Sequence, residues 1–166
     1  MSKRIAVVTG GIGGLGTAIC IALARAGRRV IATDLDGEAS RIADFERNVD
    51  GLDVGFRALD VSDHTACSAF VADVEREHGA LDILVNGAGI TRDVTLRKMD
   101  QRQWQQVIDV NLGGVFNMCQ PAIEGMSARG FGRVVNISSV NGQTGQFGQA
   151  NYSAAKAGMH GFTMAM

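Results

Sequence analysis

Tyr152 and Lys156 have the types and the spacing of a proton-transfer pair. They are four residues apart in a stretch predicted to be helical, so both side chains project from one face of that helix, one turn apart. A phenol has an unperturbed pKa of about 10, too high for efficient proton transfer at neutral pH, and an adjacent ammonium group favours the phenolate. We therefore predict that Tyr152 acts as a general acid toward a carbonyl oxygen and that Lys156 assists it.

Ser139 is predicted to bring a second hydroxyl group to this pair. It lies at the end of a predicted strand, thirteen residues before Tyr152, so the loop Val140 to Gly148 can place the two hydroxyl groups together. Ser139 would then donate a hydrogen bond to the alkoxide that develops on the substrate. Ser138 is the competing candidate, but alternation along the strand predicts that its side chain points to the other side.

A glycine-rich turn, Gly10 to Gly16, connects the first predicted strand to the first predicted helix. This arrangement places helix N–H groups where the pyrophosphate of a dinucleotide would bind. We expect Gly10 to permit the tight turn, Gly14 to allow close approach of the backbone, and Gly16 to let the helix pack on the sheet. A flexible strand-to-helix loop is the alternative interpretation, whereas a P-loop is excluded because no Gly-Lys-Ser/Thr follows.

Asp34 follows the second predicted strand, eighteen residues after Gly16. This is close to the spacing of the acidic residue that binds the adenosine ribose of a dinucleotide. A carboxylate there accepts hydrogen bonds from the ribose hydroxyls but repels a 2′-phosphate, and no Lys or Arg stands in the glycine turn to offset that repulsion. The sequence therefore predicts a preference for NAD(H), with NADP(H) as the alternative; otherwise Asp34 merely caps the segment that follows.

These residues are positioned by strands and helices that alternate along the chain, which is typical of βαβ units in a parallel sheet. The strands are near-continuous apolar runs, as expected when helices cover both faces of a sheet. We predict an α/β fold with a doubly wound parallel sheet of the Rossmann type in three α/β/α layers. The five predicted strands are Arg4 to Thr9, Arg29 to Thr33, Asp53 to Leu59, Asp82 to Asn86 and Arg133 to Ser138.

The predicted helices are Gly14 to Ala26, Asp36 to Asn48, Ser62 to His78 and Asp100 to Met126. Asp36, Ser62 and Asp100 are candidate N-caps, and Gly27 and Gly79 are candidate C-terminal stops. Pro121 should kink or end the fourth helix. A last helix begins near Gln149 and reaches Met166 without a cap or a turn signal, so we expect one domain over residues 1–166 that is truncated at its C-terminus.

The composition excludes several other classes of protein. Sixteen basic and seventeen acidic residues give a formal charge of −1, so no strong field favours nucleic acid or an anionic membrane. No segment approaches the roughly 20 apolar residues of a membrane helix. The three cysteines and three histidines have no spacing typical of a metal site or a disulfide framework. We expect a cytoplasmic protein with a small-molecule partner and no metal.

Taken together, these motifs resemble the short-chain dehydrogenase/reductase pattern in its usual order, over all 166 residues. The motifs are Thr9 to Gly16, Asp60-Val61, Asn86-Gly87-Ala88-Gly89, Asn111, Ser139 and Tyr152-x-x-x-Lys156. One position departs from the pattern, because the family usually has a second Asn where this chain has Gly87. The resemblance implies an oxidoreductase that moves a hydride between a nicotinamide cofactor and a carbonyl or hydroxyl carbon.

The resemblance also implies roles for individual residues. Asp60 and Val61 would hold the adenine, the turn from Asn86 to Gly89 would line the adenosine ribose, and Asn111 would perturb its helix and hold a water that leads from Lys156 to solvent. The implied catalytic residues are Tyr152, Lys156, Ser139 and Asn111. The implied cofactor-binding residues are Gly10, Gly13, Gly14, Leu15, Gly16, Asp34, Asp60, Val61, Asn86, Gly87, Ala88, Gly89 and Ile90.

The stretch Asn136 to Tyr152 is closely similar to acetoacetyl-CoA reductases, which supply (R)-3-hydroxybutyryl-CoA for polyhydroxybutyrate synthesis. On that resemblance an acyl-CoA would bind against Asp93, Gln146, Phe147 and Gln149, and the full-length protein would be a homotetramer. A loop that is merely flexible is the alternative for this stretch. The competing functions are a 3-oxoacyl-carrier-protein reductase of fatty-acid synthesis and a non-catalytic dinucleotide-binding homologue.

Overall fold

The structure, a computed structural model, describes residues 3–37 and 39–166. Its five strands form one sheet in the order β3-β2-β1-β4-β5, and every neighbouring pair is parallel. This arrangement confirms the predicted doubly wound sheet. The strands are β1 (Ile5–Thr9), β2 (Arg29–Asp34), β3 (Val54–Ala58), β4 (Ile83–Asn86) and β5 (Arg133–Asn136).

Helices cover both faces of this sheet. Their bounds are α1 (Gly14–Arg25), α2 (Ala39–Asn48), α3 (His64–His78), α4 (Gln101–Ile108), α5 (Gly114–Ala128), α6 (Asn141–Thr144) and α7 (Ala150–Ala165). A 3₁₀ turn covers Leu96–Lys98, and a π-helical turn, Asp109–Gly113, joins α4 to α5. No helix in the described residues is long and apolar enough to cross a membrane.

The period-two pattern of β1 divides the core into two layers. All five residues of β1 are buried, and alternate side chains point to opposite faces. Ala6 and Val8 pack with buried residues of α1 and α2. Ile5 and Val7 pack with buried residues of α3, α5 and α7. Helices therefore cover both faces of β1, which explains why the sequence of that strand is a continuous apolar run.

Several predicted boundaries were wrong. The predicted helix from Asp100 to Met126 is divided into α4, the π-helical turn and α5. Pro121 does not end α5, which continues to Ala128. The N-cap of α3 is Asp63, whose carboxylate accepts the N–H of Ala66, and not Ser62. The carboxylate of Asp60 accepts hydrogen bonds from both the N–H and the hydroxyl of Ser62, so Ser62 is not available as a cap.

Other boundaries moved by a few residues. α2 begins at Ala39, three residues after the predicted cap Asp36, and β5 ends at Asn136 instead of Ser138. Asp100 does cap α4, and its side chain accepts the N–H of Gln103, whose side chain accepts the N–H of Asp100. Such a reciprocal pair satisfies two N–H groups that have no partner within the helix.

The strand order reverses direction between β1 and β4. From β1 the chain proceeds outward through β2 to β3, and it then returns to place β4 on the other side of β1. At such a switch point the loops after the two central strands diverge and leave a crevice at the carboxyl ends of the strands. The fold therefore predicts the position of a ligand site.

Candidate active site

A cavity of about 640 Å³ lies at this switch point. It is lined by the turns that follow β1, β2, β3 and β4 and by the start of the π-helical turn. The sequence-predicted residues that line it are Gly10, Gly13, Gly14, Leu15, Gly16, Asp34, Asp60, Val61, Gly87, Ala88, Gly89 and Ile90. Of the implied cofactor set, only Asn86 is absent from this lining.

The glycine turn is shaped by close backbone contacts. Gly10 has φ +67, and a Cβ on it would lie 2.8 Å from the Cα of Ala88. The left-handed conformation and the contact with the β4 turn both require glycine. A Cβ on Gly16 would collide with the carbonyl oxygen of Gly10, so Gly16 packs the helix on the turn itself and not on the sheet as we expected. The contact with the sheet belongs to Gly11, where a Cβ would lie 2.7 Å from Ala32 of β2.

Gly14 differs from its neighbours because a Cβ on it would meet no protein atom within 4 Å. It lines the cavity at the first residue of α1, where the helix N–H groups have no partners within the helix. The residues present therefore fit a bound pyrophosphate, which needs both open space and unpaired N–H donors.

Asp34 and Arg41 lie at the end of the cavity next to β2. One carboxylate oxygen of Asp34 accepts the N–H of Leu35 at 2.9 Å, a contact with the next residue and not with the start of α2, and the side chain is only partly buried. Arg41, in the first turn of α2, brings a cation to the cavity that sequence reasoning missed. Arg41 lies outside the glycine turn, seven residues beyond Asp34, and no motif marks it.

The turn after β3 is tied to neighbouring elements. The amide of Asn117 in α5 donates to the carbonyl of Val61 at 2.8 Å, and the N–H of Leu59 donates to the carbonyl of Asp34 at 2.8 Å. These contacts hold Asp60 and Val61 beside the cavity.

Asn86 supports the sheet. It is buried, and its amide donates to Asn136 of β5 at 2.8 Å and to the Sγ of Cys119 at 3.3 Å. The hydroxyl of Thr9 accepts the N–H groups of Gly87 and Ala88 at 3.1 and 3.2 Å, so the last residue of β1 holds the turn after β4. Sequence reasoning missed Thr9 in this role because no local pattern marks a contact between residues 78 positions apart.

Lys156 is the buried cation of the site, with 3% of its surface exposed. Its Nζ donates to the carbonyl of Ile137 at 2.7 Å and lies 5.7 Å from the centroid of the Tyr152 ring. Burial lowers the pKa of Lys156 to about 8, because the charged form loses hydration. The predicted proximity of the phenol and the amine is therefore present on one face of α7.

Asn111 lies in the π-helical turn and is fully buried. Its amide donates to the carbonyls of Ile90 and Val107, both at 2.9 Å, while its Oδ1 accepts no hydrogen bond from the described residues. A Cβ on Gly89 would lie 2.6 Å from that Oδ1 and 3.8 Å from the Nζ of Lys156. Asn111 and Lys156 thus converge on a residue of the turn after β4 that lines the cavity, which connects the catalytic candidates to the cavity wall.

Ser139 and Ser138 have different environments. The Oγ of Ser139 accepts the N–H of Asn141 at 3.2 Å, so one lone pair is used and its own O–H remains available to donate. Ser139 begins the turn into α6, and a Cβ on Gly142 of α6 would lie 2.7 Å from the carbonyl carbon of Lys156. Ser138 instead directs its hydroxyl to α7, where it contacts Lys156 and His160.

The implied substrate residues do not all remain available. Gln149 donates to the carboxylate of Asp93 and accepts from the amide of Asn141, both at 2.8 Å, so its amide is engaged within the protein. Phe147 is 88% exposed and Gln146 is exposed. The loop that carries them is held at one end by the N–H of Val94, which donates to the carbonyl of Gly148 at 2.8 Å.

Comparison with known proteins gives consistent results. The family described as short chain dehydrogenase matches residues 4–166. The acetoacetyl-CoA reductase of Allochromatium vinosum is 54% identical over 98% of this chain and 67% of its own length. A 3-oxoacyl-[acyl-carrier-protein] reductase of Chlamydia trachomatis is 40% identical over 99% of this chain and 66% of its own length. The crystal structure of gox2181 superposes with a TM-score of 0.87 and 36% identity over 98% of this chain and 64% of that chain.

The chain belongs to the short-chain dehydrogenase family. Members of this family are oxidoreductases that act on CH–OH groups with a nicotinamide dinucleotide. The chain spans about two thirds of the length of the relatives that it matches.

Proposed function

We propose that the protein reduces a 3-oxoacyl thioester, and specifically acetoacetyl-CoA to (R)-3-hydroxybutyryl-CoA for polyhydroxybutyrate synthesis. In this proposal the 166 residues act as one dinucleotide-binding and catalytic domain. The observation that carries it is the buried amine of Lys156, which lies 5.7 Å from the centroid of the Tyr152 ring and beside Gly89 of the cavity wall. The 54% identity to an acetoacetyl-CoA reductase supports the choice of substrate.

The residues of the site have distinct roles in this reaction. A bound nicotinamide dinucleotide would supply the hydride, and the glycine turn, Asp34 and the turn after β4 would hold it. Tyr152 protonates the substrate oxygen, and the Lys156 ammonium on the same face of α7 stabilises the negative charge that the phenol oxygen gains as it gives up its proton. Ser139 donates a hydrogen bond to the same oxygen. Its Oγ accepts the N–H of Asn141, and its own O–H remains free to donate. The unpaired Oδ1 of Asn111 offers an acceptor for a water beside Lys156.

Tyr152→Phe tests the proposed acid. The variant removes one oxygen and should lower the reduction rate at least about 10²-fold, the scale of general-acid catalysis, while dinucleotide affinity changes less than about twofold. Steady-state kinetics and fluorescence titration with NADH and NADPH measure the two quantities. A variant that retains near-normal turnover would remove Tyr152 from the mechanism.

The competing substrate is a 3-oxoacyl group on a carrier protein, and it is supported by the 40% identity to a reductase that is named for that substrate. Assays of the full-length protein with acetoacetyl-CoA and with an acetoacetyl carrier protein, each with NADH and NADPH, separate the two. We expect a higher kcat/KM with the CoA thioester. A protein that binds dinucleotide but reduces neither thioester would be the non-catalytic homologue.

Asp34 supports NAD(H), whereas Arg41 is an observation in favour of NADP(H), because a guanidinium can pair with a 2′-phosphate. We expect Asp34 to dominate, so that Asp34→Ala lowers the NADH to NADPH ratio of kcat/KM about tenfold or more and Arg41→Ala raises it. Arg47→Ala is the matched control, since Arg47 lies on the same helix and pairs with Asp44. An unchanged ratio in Asp34→Ala would contradict this assignment.

A further inference from the structure

His160 is a half-buried titratable side chain for which the proposed reaction has no role. It lies on α7, one helical turn after Lys156, and its Nε2 is 2.7 Å from the hydroxyl of Ser138. The same hydroxyl is 3.2 Å from the carbonyl oxygen of Lys156. Ser138 therefore contacts two successive turns of the helix that carries the catalytic candidates.

The proton count fixes how these contacts are made. A hydroxyl group has one proton to donate, and the carbonyl of Lys156 can only accept. When Ser138 donates to that carbonyl, the Nε2 of His160 must carry a proton and donate to the Oγ of Ser138. Both hydrogen bonds exist together only in this arrangement, in which His160 donates to Ser138 and Ser138 donates to Lys156.

The side-chain amine and the backbone carbonyl of Lys156 are both bonded to the segment Ile137-Ser138. Its Nζ donates to the carbonyl of Ile137, and its own carbonyl is bonded by Ser138, the next residue. A displacement of α7 relative to this segment would lengthen both contacts. Because α6 also packs directly on the Lys156 backbone through Gly142, there is little free space in which Lys156 could adjust independently.

We propose that Ser138 and His160 form a clamp that positions Lys156 for its interaction with Tyr152. The proposal rests on the proposed function, in which the Lys156 ammonium assists the Tyr152 phenol. Ser138 and His160 are positioning residues, because Ser138 contacts the backbone carbonyl of Lys156 and His160 contacts Ser138, and neither has a role at the reacting atoms. Their removal should hydrate the amine and let it move, whereas a purely structural role would change stability alone.

The pH midpoint at which the Lys156 amine loses its proton depends on how buried that amine is, and it can be measured without turnover. The 166 residues contain three lysines, Lys3, Lys98 and Lys156. In protein labelled with ¹³C at lysine Cε, the resonance that disappears in Lys156→Arg identifies Lys156, and its chemical shift can be followed against pH. The wild-type midpoint should lie near the pKa of about 8 that burial produces.

Ser138→Ala removes both hydrogen bonds, and we expect the midpoint to move up by at least about half a pH unit as water reaches the amine. We also expect kcat to fall about threefold to tenfold, with the dinucleotide KM changed less than about twofold. Ser138→Thr keeps a hydroxyl and should restore both values. His160→Leu keeps the Ser138 hydroxyl but removes the donor that orients it toward the Lys156 carbonyl, so the midpoint and kcat should change in the same direction as in Ser138→Ala and by less. His160→Gln, whose amide can still donate, should lie closer to wild type.

Thr163→Val is the matched control. Thr163 lies one turn further along α7, and its hydroxyl accepts the amide of Asn136 at 2.9 Å, so the variant removes a β5-to-α7 hydrogen bond that does not involve Lys156. Its Lys156 midpoint should be unchanged. The clamp is overturned if Ser138→Ala and His160→Leu leave the midpoint in place, or if Thr163→Val shifts it equally.

Two further outcomes are informative, and the second separates the clamp from the proposed function. If Ser138→Ala does not fold, as judged by circular dichroism, the comparison of His160→Leu with His160→Gln decides the question. If the Lys156 midpoint shifts as expected but wild-type protein reduces no thioester, the clamp stands and the proposed substrate fails.

Discussion

Lys156 shows how a single residue can be defined by its surroundings. Its pKa is lowered to about 8 by burial, so the ammonium predominates at neutral pH and is lost as the pH rises through about 8. In a solvated lysine the same loss occurs near pH 10.4. The environment of this side chain thus brings its change of charge close to the working range of an enzyme.

This pKa predicts an alkaline limb in the rate of reduction. We expect kcat/KM to be highest below pH 8 and to fall as the pH rises through about 8, because the neutral amine of Lys156 no longer stabilises the negative charge that Tyr152 gains when it donates its proton. In Lys156→Arg the guanidinium stays charged, so the limb at pH 8 should vanish even though the absolute rate is lower. A wild-type profile that is flat up to pH 9 would contradict the assignment.

Residue types and local spacing predicted which candidate side chains lie together within one element. Tyr152 and Lys156 were found because the helical period alone places them together. The contacts that connect distant segments were not predicted. The hydroxyl of Thr9 beneath Gly87, Arg41 beside Asp34, and Ser138 against His160 depend on tertiary folding, and no local pattern in one sequence marks them.

At the scale of elements, α6 is the short piece that fixes Ser139 relative to α7. It was not predicted, because four residues are too few to give a helical period. The resemblance implied that Asn111 perturbs its helix, but helical periodicity did not predict the π-helical turn as a boundary. Asn111 donates to Val107 within the helix and also to Ile90 outside it, and the second bond comes from tertiary structure.

Two glycine substitutions test the packing of α6 on α7. Gly142→Ala should lower kcat about tenfold or more, because its Cβ would lie 2.7 Å from the carbonyl carbon of Lys156 and would separate the two helices. Gly161→Ala is the matched control on α7, where a Cβ meets nothing within 4 Å. It should leave kcat unchanged and stabilise the protein by up to about 1 kcal/mol through helix propensity. Steady-state kinetics and urea unfolding measure both, and equal activity in the two variants would contradict the close contact.

The whole molecule is a sheet with two halves that diverge at β1 and β4. Apolar runs and glycine signals were enough to predict its class, because each strand is short and bounded by turns and the central strands β1, β2 and β4 are largely buried. The chain order of the halves also places Asp34, from one half, and Gly89, from the other, around the same cavity. A ligand that spans this cavity therefore contacts both halves and should stabilise the sheet as one unit.

Binding of NADH tests this coupling. A ligand that binds only the folded state adds about 2.7 kcal/mol to the free energy of unfolding at a concentration of 100 Kd. The midpoint temperature of unfolding should therefore rise with NADH concentration. Gly14→Val should abolish the rise without destabilising the free protein, because its side chain would occupy cavity space that no protein atom fills. Ala18→Val, exposed on the same helix and outside the cavity lining, is the control and should keep the rise. Differential scanning fluorimetry with and without NADH measures these shifts, and a Gly14→Val protein that is still stabilised would place the dinucleotide elsewhere on the fold.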